Sequence, residues 1–316
     1  MDKSISLTPF DITSSKAQSE IIPEGVKDIK APDFWNKGYK GRGVTIAIID
    51  TGVEVNHPDL KDRIIGGRNF TSEDGGDVSR YNDYNGHGTH VAGIIAASAN
   101  GTGVVGVAPE ASLLILKILD RDGNGTYESA IAALKYAITQ GVDVISMSLG
   151  GPVDVPELHA AIQEAVSKEI VVICAAANSG DGNALTPEYA YPAYYSEVIS
   201  VGAATSSKRV AGFSNSNNQV DLIAPGVNIL STYLNSSYAR LSGTSMAAPY
   251  VTGAVALLIN WGMERFGRKL TELEIYAQLV RRAVSVGLPA TAEGNGMLYL
   301  TAQDVLEQML RNNRLT

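Results

Sequence analysis

The chain has 316 residues, 45% of them hydrophobic and 18% charged, and a formal net charge of −8. This is ample material for a large globular core, and the acidic balance argues against nucleic acid or an anionic membrane as partner, since both require a basic face. Cys174 stands alone, so no internal disulfide can form, which fits a reducing compartment. No apolar run of signal-peptide length occurs in the first thirty residues, and no stretch reads as a bilayer span; a soluble cytoplasmic protein is expected.

In chain order, residues 1–21 lack a core pattern and read as a separate N-terminal extension. Continuous apolar runs at 44–49, 113–119, 142–147 and 170–175 read as strands of a sheet covered on both faces. Helical patterns at 89–97, 128–139 and 156–168 alternate with them, the last opening on Pro156, where a missing N–H costs nothing. Further strands are expected at 198–202 and 220–224, then a helix from Ser245 and an amphipathic helix at 273–283. The alternation predicts an α/β fold with right-handed crossovers and a mainly parallel sheet. No internal repeat occurs and no segment reads as a linker.

Candidate chemistry falls at strand ends and helix starts. In Ser242-Gly243-Thr244-Ser245-Met246-Ala247-Ala248-Pro249 a hydroxyl sits at a helix mouth behind small or flexible residues that let a substrate backbone approach. Asp50 ends an apolar strand and His87 opens a helix, which completes an Asp/His/Ser set. Imidazole titrates near ~6.5 in water, so it can take a serine proton and return it to a leaving amine. Plain structural roles compete: Ser245 as a helix N-cap, Asp50 as a turn former, His87 as a helix cap. His90, three residues after His87, raises a metal site, but His-x-x-His lacks the spacing and glutamate of the zincin motif, and His90 reads as a buried structural residue. His57 and His159 read as non-catalytic. Asp120-Arg121-Asp122-Gly123-Asn124-Gly125 imitates an EF-hand start, yet the twelfth position is Ile131 where a glutamate is needed. The acidic residues Glu73, Asp74, Asp77 and Asp83 read as a solvated loop, with a second cation as the competing reading.

Six segments together resemble the subtilisin-type serine proteases: Asp50-Thr51-Gly52, His57-Pro58-Asp59-Leu60, Gly86-His87-Gly88-Thr89-His90, Ser148-Leu149-Gly150-Gly151, Ala177-Asn178 and Gly243-Thr244-Ser245-Met246-Ala247-Ala248-Pro249. They follow the family's order from about Ile22 to near the C-terminus, and aspartate, histidine, serine is the chain order known from subtilisin. Leu7-Thr8-Pro9-Phe10 and the missing signal make the intracellular subtilisins of Bacillus-like bacteria the most similar branch.

The resemblance implies a three-layer fold and a serine endopeptidase that works through an acyl-enzyme. Ser245 would be the nucleophile, His87 the general base and then acid, and Asp50 the partner of the imidazole; Asn178 would meet the oxyanion beside the Ser245 N–H. Thr244 would add its hydroxyl. Gly123-Asn124-Gly125 and Ser148-Leu149-Gly150 would clamp an extended peptide as an added strand. Ala190 would floor a pocket for large apolar side chains, giving broad specificity. A structural Ca2+ would take Asp59, Ser98, Asn100, Thr102 and Val104, with Glu20 nearby. Residues 1–18 would form an inhibitory extension and 19–316 the peptidase domain, with Leu7, Thr8, Pro9 and Phe10 blocking the cleft until cleavage near Gln18-Ser19. Pro9 explains binding without cleavage, because its fixed φ displaces the adjacent carbonyl from attack geometry. The chain departs from the pattern at Ala177, where many subtilisins have glycine, and at Thr8, where an apolar residue is expected. Polypeptides are the expected substrates, and a homodimer is left open. A serine esterase and a silent peptide-binding protein on the same fold are the alternatives, the former weakened by the absence of a Gly-x-Ser-x-Gly elbow.

Overall fold

The structure is a computed structural model and describes residues 4–7, 13–15 and 19–313. Short strands β1 (Ser4–Ser6) and β2 (Thr13–Ser15) precede helices α1 (Glu24–Asp28) and α2 (Ala31–Trp35). Then come β3 (Thr45–Asp50), β4 (Ile64–Asn69), α3 (His87–Ala96), β5 (Ser112–Lys117), β6 (Asn124–Thr126), α4 (Tyr127–Gln140), β7 (Val144–Met147), α5 (Pro156–Ser167) and β8 (Val171–Ala175). The chain continues through β9 (Ile199–Ala204), β10 (Val220–Pro225), the hairpin β11 (Ile229–Tyr233) and β12 (Ser237–Leu241), α6 (Thr244–Phe266) and α7 (Glu272–Val280). It closes with β13 (Ala283–Val284), α8 (Ala290–Glu293), β14 (Met297–Leu298) and α9 (Ala302–Asn313).

One sheet runs in the order β13-β14-β10-β9-β8-β7-β3-β5-β4 and is parallel except where β13 meets β14. Side chains alternate faces along each strand. Ile46 and Ile48 of β3 and Leu113 and Ile115 of β5 therefore join α3 and α6 in one core, while Ala47, Ile49, Leu114 and Leu116 join α4 and α5 in the other. This is the expected three-layer α/β architecture. The helix ends follow local chemistry: Thr126 caps α4 by accepting the Ser129 N–H, Gly141 closes it in the left-handed region, and Thr271 with Glu274 forms a capping box on α7.

The structure changes several expectations. The strand expected at 113–119 stops at Lys117, because the Ile118 and Leu119 N–H groups both turn to the Asp50 carbonyl. The helix expected at 273–283 ends at Val280, and residues 283–284 form β13 instead. α6 is long and apolar enough to cross a membrane, contrary to the sequence reading, but 83% of its apolar window is buried inside the protein, so it is the central core helix. The extension is not free of core contacts either. Ile5 is fully buried among the α4 and α5 side, and β2 pairs antiparallel with β12, so both described pieces of the extension add strands to the body.

Candidate active site

The candidate residues gather outside the carboxyl ends of β3, β5, β7 and β8, on either side of the point where the chain turns from building one flank of the sheet to the other. Asp50 is the last residue of β3 and His87 the first of α3; both are buried. His87 Nδ1 lies 2.8 and 3.0 Å from the two Asp50 oxygens, and Asp50 Oδ1 also accepts the Thr51 N–H at 2.7 Å. An ionised carboxylate only accepts, so Nδ1 carries the proton and Nε2 is left as the basic nitrogen. Packing forces a glycine beside the histidine: a Cβ on Gly88 would stand 2.2 Å from the Gly52 carbonyl oxygen.

Ser245 is the second residue of α6, the helix that packs on α3. Pro249 has no N–H to give the carbonyl four residues earlier, which is that of Ser245. The Ser148 hydroxyl donates to that carbonyl at 3.1 Å, and the Ser245 hydroxyl donates to the Ser148 carbonyl at 3.1 Å. The proline of the motif thus frees an acceptor that ties the serine to the 148–150 segment.

Asn178 follows β8. Its Oδ1 accepts both the N–H and the hydroxyl of Thr244 at 2.8 Å, which fixes the way its amide faces. The approach is close: a Cβ on Gly243 would stand 3.0 Å from Asn178 Nδ2, so a larger residue would press on the amide. Thr244 does not fit the direct role expected for its hydroxyl. Its proton is committed to Asn178, and its oxygen accepts the Ala177 N–H at 3.1 Å, so it positions the asparagine. Ala177 itself has φ 81°, in the left-handed region where glycine is at ease.

The two clamp segments flank the extension. β1 pairs antiparallel with β6, with Ile5 opposite Gly125 and Ser6 opposite Asn124, and Ser6 bridges Gly150 on its other side. The Leu7 N–H donates to the Gly123 carbonyl at 3.0 Å. Thr8, Pro9 and Phe10 lie outside the described residues, as does Gln18. Beside Ser245 a cavity of about 300 Å³ is bounded by Leu149, Pro152, Ala175, Tyr189 and Ala190, and none of its described lining residues is charged. A larger hollow of about 770 Å³, lined by Val284, Met297 and Val305, includes none of the candidate catalytic residues.

The remaining histidines are occupied elsewhere. His90 is fully buried; its Nε2–H is shared between the Ile229 and Ala239 carbonyls, both at 3.0 Å, and burial pushes its pKa down to about 3. His57 accepts the Asp59 N–H, and His159 stacks on Tyr195 beside Glu197. At the expected calcium loop, Asp59 is buried and has no basic partner among the described residues: Oδ1 accepts from Asn100 Nδ2, and Oδ2 accepts the Val104 N–H and the Tyr238 hydroxyl, each at 3.0 Å. Glu20 reaches the same loop through the Gly101 N–H at 2.7 Å. Thr102 donates to Asn100 Oδ1, and the Ser98 N–H goes to the Asp59 carbonyl.

Two residues escaped the sequence reading. Lys117 is fully buried, donates to the Thr51 and Leu119 carbonyls and pairs with Glu73, which also pairs with Arg121. A lysine inside a buried apolar run was the available signal. Asp83, read as part of a solvated loop, is instead buried and saturated with donors; nothing in its polar sequence context marks it.

A buried aspartate–histidine couple at the rim of a parallel sheet, with a helix-mouth serine and an oriented asparagine close by, defines the class of the serine hydrolases with an Asp/His/Ser set. The chain belongs to the subtilase family, whose model matches residues 41–299. It is 53% identical over 315 residues to the intracellular serine protease of Paenibacillus polymyxa, covering 100% of this chain and 96% of that one. It is 51% identical over 316 residues to the major intracellular serine protease of Bacillus subtilis (strain 168), covering 100% and 99%. Subtilisin E of the same organism is 44% identical over 260 residues, covering 82% of this chain and 66% of that one. The chain is accordingly a serine endopeptidase.

Proposed function

We propose that this endopeptidase is an intracellular enzyme of broad specificity, made in a form that blocks itself. Ser245 attacks the peptide carbonyl, His87 Nε2 receives its proton and passes it to the leaving amine, and Asp50 holds the imidazolium that forms in between. Asn178 and the Ser245 N–H stabilise the oxyanion; removing such a side-chain donor costs roughly 10²–10³ in turnover, a magnitude that comes from subtilisin itself. The uncharged cavity beside Ser245 favours large apolar side chains. Intracellular residence is supported by the relatives' names and by the single, buried Cys174.

One observation carries the self-inhibited reading: β1 lies as the middle strand between β6 and Gly150, the two edges a substrate must pair with. Ile5 anchors it, being fully buried in the core cluster that also holds Leu119, Tyr127 and Leu149. The inhibitory contact therefore begins earlier than the Leu7 to Phe10 stretch that the sequence emphasised. Structural Ca2+ belongs to the same proposal. Asp59, Asn100, Glu20 and the carbonyls of Ser98, Thr102 and Val104 would supply an all-oxygen donor set suited to a hard cation, brought to one loop by the bonds from Asn100 to Asp59 and from Gly101 to Glu20.

The test compares three proteins on casein: the full chain, a variant beginning at Ser19, and full-length Pro9→Ala. The full chain should show a lag that shortens as its concentration rises, and the Ser19 variant none. Equal initial rates without a lag in all three would remove the inhibitory role. Mass spectrometry of the products should show cleavage after large apolar residues, and predominant cleavage after charged ones would contradict the assigned cavity.

A further inference from the structure

We propose that Asp83 is a positioning residue that registers the Asp50–His87 couple without touching substrate or imidazole. The residue is 6% exposed, and its carboxylate accepts five hydrogen bonds. Oδ1 takes the Thr51 hydroxyl and the Asn85 and Gly86 N–H groups, each at 2.9 Å; Oδ2 takes the Thr89 N–H at 2.9 Å and the Thr89 hydroxyl at 2.6 Å. Charge-assisted bonds of this kind are stronger than neutral ones, and a carboxylate facing the first N–H groups of a helix also complements its dipole.

These five donors come from the two elements that carry the couple. Asn85, Gly86 and Thr89 bracket His87 at the start of α3, so Asp83 fixes the backbone on both sides of the imidazole. Thr51 follows Asp50 at the end of β3, and all its polar atoms near the couple are committed. Its hydroxyl proton goes to Asp83, its Oγ1 accepts the Gly88 N–H at 2.9 Å, and its own N–H holds Asp50 Oδ1 at 2.7 Å. That same Asp50 oxygen is 2.8 Å from His87 Nδ1. Asp83 thus sets the rotamer and proton direction of Thr51, and Thr51 sets the carboxylate that aims the imidazole. A displacement of about 1 Å in such an arrangement can cost 10²-fold in rate.

Asparagine is nearly the same size but presents an NH2 group where one carboxylate oxygen stood, so two donors would face each other on one side of the network. In the full chain, measured at the plateau rate on a short peptide substrate, Asp83→Asn should lower kcat at least tenfold with KM within threefold. The low-field proton resonance of His87 Nδ1–H should shift or broaden. Thr51→Val keeps the branched shape and removes the relay, so it should act in the same direction, and the double variant should be no slower than Asp83→Asn alone. A role in stability alone would lower the melting temperature while leaving the resonance and, below that temperature, kcat unchanged. If Asp83→Asn fails to fold, Thr51→Val decides: kcat within twofold of the parent, or an unmoved resonance, overturns the proposal.

Discussion

At Ala177 the backbone requires what the side chain dislikes. A non-glycine residue in the left-handed region costs roughly 1–2 kcal/mol, and here it directly precedes Asn178. The strain is held by neighbours on both sides: the Ala177 N–H goes to Thr244 Oγ1 and its carbonyl accepts the Asn215 N–H, both at 3.1 Å. Ala177→Gly should relieve it, and the greater freedom of glycine in the unfolded chain returns about 0.4–1 kcal/mol of that gain. The expected outcome is a melting temperature higher by about 1–2 °C, read by calorimetry on the Ser245→Ala background so that self-digestion cannot interfere. A lower melting temperature would mean that the methyl group contributes packing worth more than the strain.

Between elements, one largely desolvated acid on β10 adds side-chain bonds to the strand's ladders. Asp221 accepts the Ser200 N–H of β9 at 2.8 Å and the Tyr276 hydroxyl of α7 at 2.9 Å, and burial pushes its pKa up to about 6 despite both bonds. An unfolded aspartate titrates near ~3.9, so the folded state holds the proton more tightly. The stability this contributes is complete below the unfolded pKa and is lost as pH rises through the folded one. Asp221→Asn abolishes the titration, and its amide can still accept from Ser200 and donate to the tyrosine oxygen. The melting-temperature difference, variant minus parent, should climb between about pH 4 and 6 and level off above 7; a flat difference would show that Asp221 is not desolvated. Elements of this buried kind were the legible part of the sequence. β3, β5, β7 and β8 announce themselves as unbroken apolar runs because both faces of the sheet are covered, and the candidate catalytic motifs stand at their ends. β4 was missed because Gly66 and Gly67 interrupt its pattern and its register shifts at that point. β11 and β12 carry too many polar residues to read as strands, yet Ser231 and Thr232 are buried with their hydroxyls on α3 carbonyls. Asp83 was hidden for the same reason, since burial satisfied by partners outside its own segment leaves no local trace. Ile5 was a single apolar residue whose pocket is built by distant segments.

For the whole molecule, the proposed calcium loop binds together parts of the chain that are far apart in sequence. Glu20 follows the extension, Asp59 sits between β3 and β4, and the 98–104 segment leads from α3 toward β5; Ile21 also bridges Val104. None of these residues contacts the Asp50–His87 couple through a described hydrogen bond, so a cation there should act on folding and not on the chemical step. A cation that binds only the folded state stabilises it by mass action, by about 2.7 kcal/mol at one hundred times its Kd. In the Ser245→Ala protein, chelation should lower the melting temperature and calcium should restore it, while Asp59→Asn should remove most of that difference. In the active protein, a chelator should leave the initial rate unchanged and then speed self-digestion, because a less stable chain exposes cleavable backbone more often. Equal melting temperatures with and without calcium would take the cation away from this loop. An immediate loss of turnover that zinc but not calcium reverses would instead move the metal into the chemistry, against the reading of His90 as a buried neutral residue.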